Sequence, residues 1–345
     1  MGKHYRAGII GLGFIGGADQ ASGDALGQQV TNLDGTHFFA INNHSRIDLA
    51  AGSSRDEGRR QRFASRTDAK IYSDWREMIE KEELDIVSVA TYAPVHSEIT
   101  VGCAEAGIKA IYCEKPIATQ LEDAQRMVAA CDKAGSLLVI NHNLRFNPNC
   151  RRLRDYITGG GLGDLTSATL QWSAGRLGNV GTHQFDAIQM LTGRKVEAVS
   201  GMLDLSGKLD CRGPQFKDPG GWGMLRLEGG LIVTVDAADY AGVPATIIIN
   251  GTKGRVITQR DEMKFEYWDG ETDYWAPPGR EKSSMDRAVE EIVEWLDGAE
   301  FPYQVEEAVR TLEAIVAFHA SHNHNATWAE LPLEGSDRKI EVLSG

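Results

Sequence analysis

The triplet Glu114-Lys115-Pro116 closes the apolar run KAIYCE (109–114) and puts an ammonium group where a strand of a parallel sheet gives way to a loop. Doubly wound sheets bind their ligands at that edge. Lys115 is therefore placed to stabilise an alkoxide forming from a substrate hydroxyl, to polarise a carbonyl in the reverse direction, or to relay the proton. A second acid–base group is His183 in GTHQFDAIQML (181–191). An imidazole titrates near neutrality, and Asp186, three residues on, shares its face if this segment is a helix. The third feature is YRAGIIGLGFIG (5–16), an apolar run opening into Gly11-x-Gly13-x-x-Gly16 with Phe14 and Ile15 inside the loop. The first glycine allows the tight turn, the second lets a pyrophosphate approach, and the third seats a helix whose N–H groups face the phosphates.

The surrounding periodicity supplies the elements that hold these groups. The polar, glycine-bearing stretch 17–35 reads as an insertion and, leaving the chain just past the phosphate loop, as a mobile cover over the ligand mouth. A helical pattern resumes at Thr36 to Asn42. IDLAAGS (47–53, strand), WREMIEKEE (75–83, helix), DIVSVAT (85–91, strand), VHSEITVGCAEAG (95–107, helix), KAIYCE (strand), LEDAQRMVAACDKAG (121–135, helix) and SLLVINHN (136–143, strand) then alternate. This alternation predicts an α/β fold with a doubly wound parallel sheet. Thr119 and Glu122 have the spacing of a capping box before one of the helices. From about residue 150 the runs TSATLQWSA, VEAVSGMLDLS, MLRLEGGLIVTVDAA, ATIIING and GRVITQRDEMKFEYW alternate apolar and polar residues, the pattern of an antiparallel sheet with one wet face. Two amphipathic helices, MDRAVEEIVEWLDG and VEEAVRTLEAIVAFHASH, close the chain. The expected domains are 1–145, dinucleotide-binding, and 146–345, α+β, with the terminal helices packing back.

Composition narrows the function classes. A chain of 345 residues that is 42% hydrophobic can bury two ordinary cores. A net charge of −13 repels a phosphate backbone, which argues against nucleic acid as a partner. The sequence contains neither a secretory apolar region nor an apolar span of membrane length, so a cytoplasmic protein with no membrane partner is expected. Cys103, Cys113, Cys131, Cys150 and Cys211 are odd in number and form no CxxC pair, against a disulfide framework or zinc site. Of His319, His322 and His324 only the first pair has helical spacing, and no acidic partner is obvious, so they read as a helix end and no metal is expected.

GLGFIG at 11–16, ATYAPVH at 90–96, EKP at 114–116, GTHQFDAIQML at 181–191 and WAELPL at 328–333, in this order and spacing, resemble the Gfo/Idh/MocA family of oxidoreductases. The resemblance implies an N-terminal Rossmann domain, a C-terminal domain whose large open, mostly antiparallel sheet serves substrate binding and oligomerisation, and a homodimer or homotetramer. It places Lys115 and His183 at the family's catalytic positions, Thr91, Tyr92, His96, Glu114 and Lys115 itself near the cofactor, and Asn143 and Arg145 near nicotinamide and substrate. Trp172, Arg176 and Asp186 join the expected substrate site. In many relatives a carboxylate stands four residues before the catalytic histidine, whereas this chain has Asn179, an amide that can orient but not accept a proton. Aligned to the family, Ser54 takes the position of the acidic residue that binds the ribose 2′-hydroxyl of NAD, with Arg55, Arg59 and Arg60 following. That set favours the 2′-phosphate of NADP, while a shift of two residues brings Asp56 into the slot and restores NAD.

The implied function is an NADP-dependent oxidoreductase passing hydride between nicotinamide and a carbinol carbon of a sugar, cyclitol or glycoside. Two alternatives stay open: an NAD-assisted glycosidase or lyase working by transient oxidation, and a non-enzymatic cofactor-sensing protein.

Overall fold

A computed structural model describes residues 2–21, 35–173, 175–206, 213, 215–238, 243–259, 261–279 and 281–344. The chain divides into two compact units, the first made of Met1–Ala118, Glu122–Asn141 and Arg280–Glu306, the second of Thr119–Leu121, His142–Gly279 and Glu307–Gly345.

In the first unit, six strands of the described residues form a parallel sheet: β1 (Tyr5–Ile10), β2 (Ile47–Ser53), β3 (Lys70–Tyr72), β4 (Ile86–Val89), β5 (Ala110–Cys113) and β6 (Leu137–Ile140). Their order, β3-β2-β1-β4-β5-β6, reverses direction between β1 and β4, the switch point at which such sheets bind dinucleotides. Every residue of β4 and of β5 is buried, as strands covered on both faces require. The helices are α1 (Phe14–Gly17), α2 (His37–Asn42), α3 (Glu57–Ala64), α4 (Trp75–Lys81), α5 (His96–Glu105) and α6 (Leu121–Ala134), with the helix 284–296 in the same unit. Their starts follow capping chemistry. Thr36 accepts from the Phe39 N–H, Asp56 from Arg59 and Asp74 from Arg76. Thr119, given a capping role by its spacing to Glu122, donates its hydroxyl to Glu341 at 3.0 Å. Strands end earlier than the sequence pattern suggests because pairing, not polarity, ends them: β1 and β4 part after Ile10 and Val89, so Thr91 lies beyond the ladder.

In the second unit the strands are β7 (Leu165–Gln171), β8 (Val196–Leu203), β9 (Gly221–Leu227), β10 (Leu231–Asp236), β11 (Thr246–Gly251), β12 (Gly254–Gln259), β13 (Glu262–Tyr267), β14 (Thr272–Trp275) and β15 (Ala329–Glu330). They form one sheet in the order β14-β13-β12-β11-β7-β10-β9-β8-β15. Its pairs among the described residues are antiparallel except β7 with β10, which run parallel. Alternating burial along β10 and β12 gives the sheet one packed and one open face, and Met202, Trp222 and Met224 stay exposed. The helices of this unit are α7 (Pro148–Thr158), α8 (Thr182–Thr192) and α10 (Glu306–Asn323), and α9 (Ser284–Leu296) is the 284–296 helix of the first unit. α9 starts on a Ser283–Asp286 capping box. No helix of the described residues is long and apolar enough to cross a membrane.

His319 lies on the buried side of α10. Burial, reinforced by the charge of His322, depresses its pKa from 6.5 to about 4. The unfolded chain therefore takes up a proton that the folded chain refuses, so stability is full above pH 6.5, falls as pH drops towards 4 and levels off below. At about 1.4 kcal/mol per pH unit the loss is on the order of 3 kcal/mol. Urea unfolding followed across this window should show the loss in wild type and a much flatter profile in His319→Gln. Parallel profiles would remove His319 from the account.

Candidate active site

The glycine turn sits at the carboxyl end of β1. Gly11 has φ +98 and donates its N–H to Ser53 at 2.9 Å. A Cβ at this position would stand 2.4 Å from the Ala90 carbonyl oxygen, and one at Gly16 would stand 1.9 Å from the Gly11 oxygen. Glycine is thus required both to bring the turn against the end of β4 and to close it on itself. Gly13 precedes the single turn of α1, in which Phe14 is buried and Ile15 partly so. The chain leaving that turn is tied to α3: Arg62 donates to both oxygens of Asp19 at 2.8 and 2.6 Å, and Arg66 donates to the Gly17 and Ala18 carbonyls. Of the stretch 17–35 read as a mobile cover, 22–34 lie outside the described residues.

At the end of β2, Ser54 is half-buried, and its hydroxyl accepts from the Asp56 N–H at 3.2 Å. One oxygen of Asp56 caps α3 by accepting from the Arg59 N–H at 2.8 Å. Arg60 braces the loop through the carbonyls of Ser54 and Arg55, at 2.7 and 3.0 Å, and the Arg55 side chain is exposed. At the end of β4, Thr91 Oγ1 is buried with no hydrogen-bond partner among the described residues, while Tyr92 is 40% exposed. A glycine cradle whose Cβ space is already filled, with an unsatisfied hydroxyl beside it, fits a nucleotide that brings its own hydrogen-bonding groups.

His96 is wholly buried, with Nδ1 3.0 Å from the Pro116 carbonyl and Nε2 3.2 Å from that of Thr91. It therefore bridges two strand ends, and burial lowers its pKa against the opposing pull of the two carbonyls. Glu114, 8% exposed, takes the His37 Nε2 at 3.0 Å and the Asn141 amide at 2.7 Å on one oxygen. Its other oxygen accepts the Lys115 backbone N–H at 3.3 Å. Burial pushes its pKa up, but the hydrogen bond and charge of His37, then the Lys115 charge and the Asn141 amide, outweigh it and hold the carboxylate at about 2. Lys115 itself is half-buried just past β5.

In the second unit, His183 stands in the first turn of α8, directly after a π-helical turn, Leu177–Gly181, that carries Asn179. Such turns recur at functional sites. Arg176, which leads into it, has φ 55, in the left-handed region that costs energy for a non-glycine residue. Both oxygens of the buried Asp218 hold the turn, accepting the Gly178 N–H at 2.6 Å and the Asn179 N–H at 2.7 Å. Sequence reasoning missed Asp218. Its only signal is the Asp-Pro-Gly turn at 218–220.

Below His183, Asp186 is fully buried and takes Arg145 Nε and Nη2 at 2.8 Å each, and Arg145 also pairs with Glu307 at 2.8 Å. Burial raises the Asp186 pKa, and Arg145, followed by the His183 charge, opposes the rise. His142 lies between these groups, 3.3 Å from Asp186, 3.0 Å from the Thr182 hydroxyl and with its ring edge-on to His183 at 6.0 Å. Arg145 and Asp186 were expected at the substrate, but they form a buried ion pair with one another. Trp172, also expected there, is 1% exposed; its indole N–H donates to Gly175 at 2.7 Å and its ring packs on Phe185, a core position. Asn143 stays partly exposed in a 3-10 turn. His319, His322 and His324 serve separate neighbours: the first is buried, the second accepts from the Leu203 N–H, and the third pairs with Asp337.

The doubly wound sheet with a glycine turn at its switch point defines a dinucleotide-binding protein. The chain belongs to the Gfo/Idh/MocA family: residues 5–142 match the family's oxidoreductase model with an NAD-binding Rossmann fold, and residues 150–257 match its C-terminal domain. It is 26% identical over 316 residues to the levoglucosan dehydrogenase of Pseudarthrobacter phenanthrenivorans, covering 79% of this chain and 78% of that protein. It is 27% identical over 267 residues to the myo-inositol 2-dehydrogenase of Thermotoga maritima, covering 73% and 74%. The crystal structure of the WlbA dehydrogenase from Bordetella pertussis, in complex with NADH and UDP-GlcNAcA, shares the fold, with a TM-score of 0.77 at 22% identity over 96% of this chain and 100% of that one.

Proposed function

We propose that this protein is a cytoplasmic, NADP-dependent dehydrogenase or reductase acting on a CH–OH group of a sugar, cyclitol or glycoside. The observation that carries the reading is Lys115, half-buried at the carboxyl edge of the nucleotide-binding sheet and next to an ionised, buried Glu114. Relatives named for levoglucosan and myo-inositol support a polyhydroxylated substrate. The nicotinamide, when bound, supplies the hydride acceptor or donor. Lys115 stabilises the charge that develops on the substrate oxygen, and His183 takes the hydroxyl proton in oxidation and returns it in reduction. The buried Asp186 carboxylate favours the protonated imidazole, and Arg145 holds Asp186 in place. Asn143, Arg176 and Asn179 orient the substrate hydroxyls. The exposed Met202, Trp222 and Met224 on the open sheet face mark the contact of a homodimer or homotetramer.

Selection of NADP rests on Ser54 and Arg55, supported by Arg59, with Asp56 occupied as a helix cap. Direct titration should find NADP(H) bound roughly tenfold tighter than NAD(H), and Arg55→Ala should erase most of that difference. Equal affinities in wild type would defeat the assignment. The reaction is tested with a panel of sugars, inositols and glycosides and both cofactors, read by nicotinamide absorbance and product chromatography. Net cofactor reduction supports the proposal. Product without net cofactor change would instead establish transient oxidation, the reading towards which Asn179 in place of a carboxylate points, and binding without product would establish a sensor.

A further inference from the structure

Glu114 is the hub of a buried polar array whose remaining members have no part in the proposed chemistry. His37 in α2 reaches Glu114 through Nε2 and the Ser88 hydroxyl in β4 through Nδ1. Asn141 donates to the same Glu114 oxygen and accepts from the Tyr112 hydroxyl at 2.7 Å, and the Tyr112 ring lies 4.7 Å from that of His37. These partners come from β4, from β5, from the residue directly after β6, and from a helix 77 residues away in sequence. Ser88, His37 and Glu114 are the three groups of an acyl-transfer triad, but Ser88 and His37 have 0% exposure and meet no substrate. The array therefore acts on the carboxylate. A carboxylate only accepts, so Nε2 must carry the hydrogen that it donates to Glu114 Oε1. With Oε1 held by two donors, Oε2 is left facing the Lys115 N–H.

We propose that His37 is a positioning residue for Lys115: acting through Glu114, it keeps a fixed negative charge beside the lysine at the end of β5. The proposal rests on the reading of Lys115 as the group at the reacting oxygen. Without the imidazole, the Asn141 amide and the Lys115 backbone N–H are left to solvate a buried charge, so Glu114 takes up a proton more readily and Lys115, losing its neighbouring anion, gives one up more readily.

The test is competitive labelling of the cofactor-free protein with trace acetic anhydride at mildly alkaline pH, with Lys115 acetylation measured by peptide mass spectrometry against the exposed Lys133. The Lys115:Lys133 ratio should rise about threefold or more in His37→Ala and stay near wild type in His37→Gln, which keeps a donor. Glu114→Gln, which preserves the hydrogen-bond acceptor without the charge, should give the same rise and stands in if His37→Ala does not fold. A ratio unchanged in either folded variant overturns the proposal. With a substrate from the panel, kcat should fall about tenfold in His37→Ala with KM within about twofold, and His37→Gln should restore it. A changed labelling ratio with wild-type kcat would leave the positioning intact and refute the catalytic reading of Lys115, so the two failures are distinguishable.

Discussion

Lys115→Met should turn over roughly a thousandfold more slowly than wild type while binding the cofactor within about twofold of wild-type affinity. Methionine retains the apolar stem and removes the charge, so the loss isolates electrostatic work on the substrate oxygen. Two facts make the charge effective. Lys115 is half-buried, and Glu114 beside it is buried and ionised, which fixes the local field before substrate arrives. The phosphate-binding turn is built from Gly11 to Gly16 on another strand, so cofactor affinity should be nearly untouched. Steady-state kinetics with a substrate from the panel, together with cofactor titration, measures both quantities. A wild-type rate would refute the role of the lysine, and a large loss of cofactor affinity would make it a binding residue.

His183→Ala should slow turnover by about a hundredfold to ten-thousandfold, the range for removal of a positioned general base, and should change the shape of the pH profile. Oxidation needs the neutral imidazole, so the wild-type rate falls on the acid side as the ring protonates, and the variant should be flat there. The buried Asp186 beneath the histidine favours the protonated ring and so draws the limb towards higher pH. Asp186→Asn should therefore move the limb to lower pH without abolishing it. Kinetics across the neutral range decides: an unchanged profile in His183→Ala would make the residue structural.

Much of this arrangement is legible in the sequence, and the rest fails for identifiable reasons. IDLAAGS coincides with β2, and the glycine turn falls at the switch point, because strand period and turn chemistry are local. The lysine triplet and the α8 helix are found for the same reason. The parallel pairing of β7 with β10 is not, since alternation reports which face is buried and says nothing of a partner's direction. Arg145 and Asp186 look like two separate polar residues until the fold joins them across 41 positions. Asp218 lies 39 residues from the Asn179 backbone it holds, and His37 lies 77 from Glu114. Contacts of that range leave no periodic trace. Trp172 is turned into the core, and a tryptophan at the end of a strand has the same sequence signature whether it faces the core or a ligand.

The most direct test of hydride transfer is to follow an isotope. A substrate from the panel, deuterated at the oxidised carbinol carbon, should place its deuterium on the reduced nicotinamide in one-to-one yield with the ketone or lactone product, at a slower rate than the protio compound. Deuterium retained in the product or lost to solvent, with no reduced nicotinamide accumulating, would contradict the account.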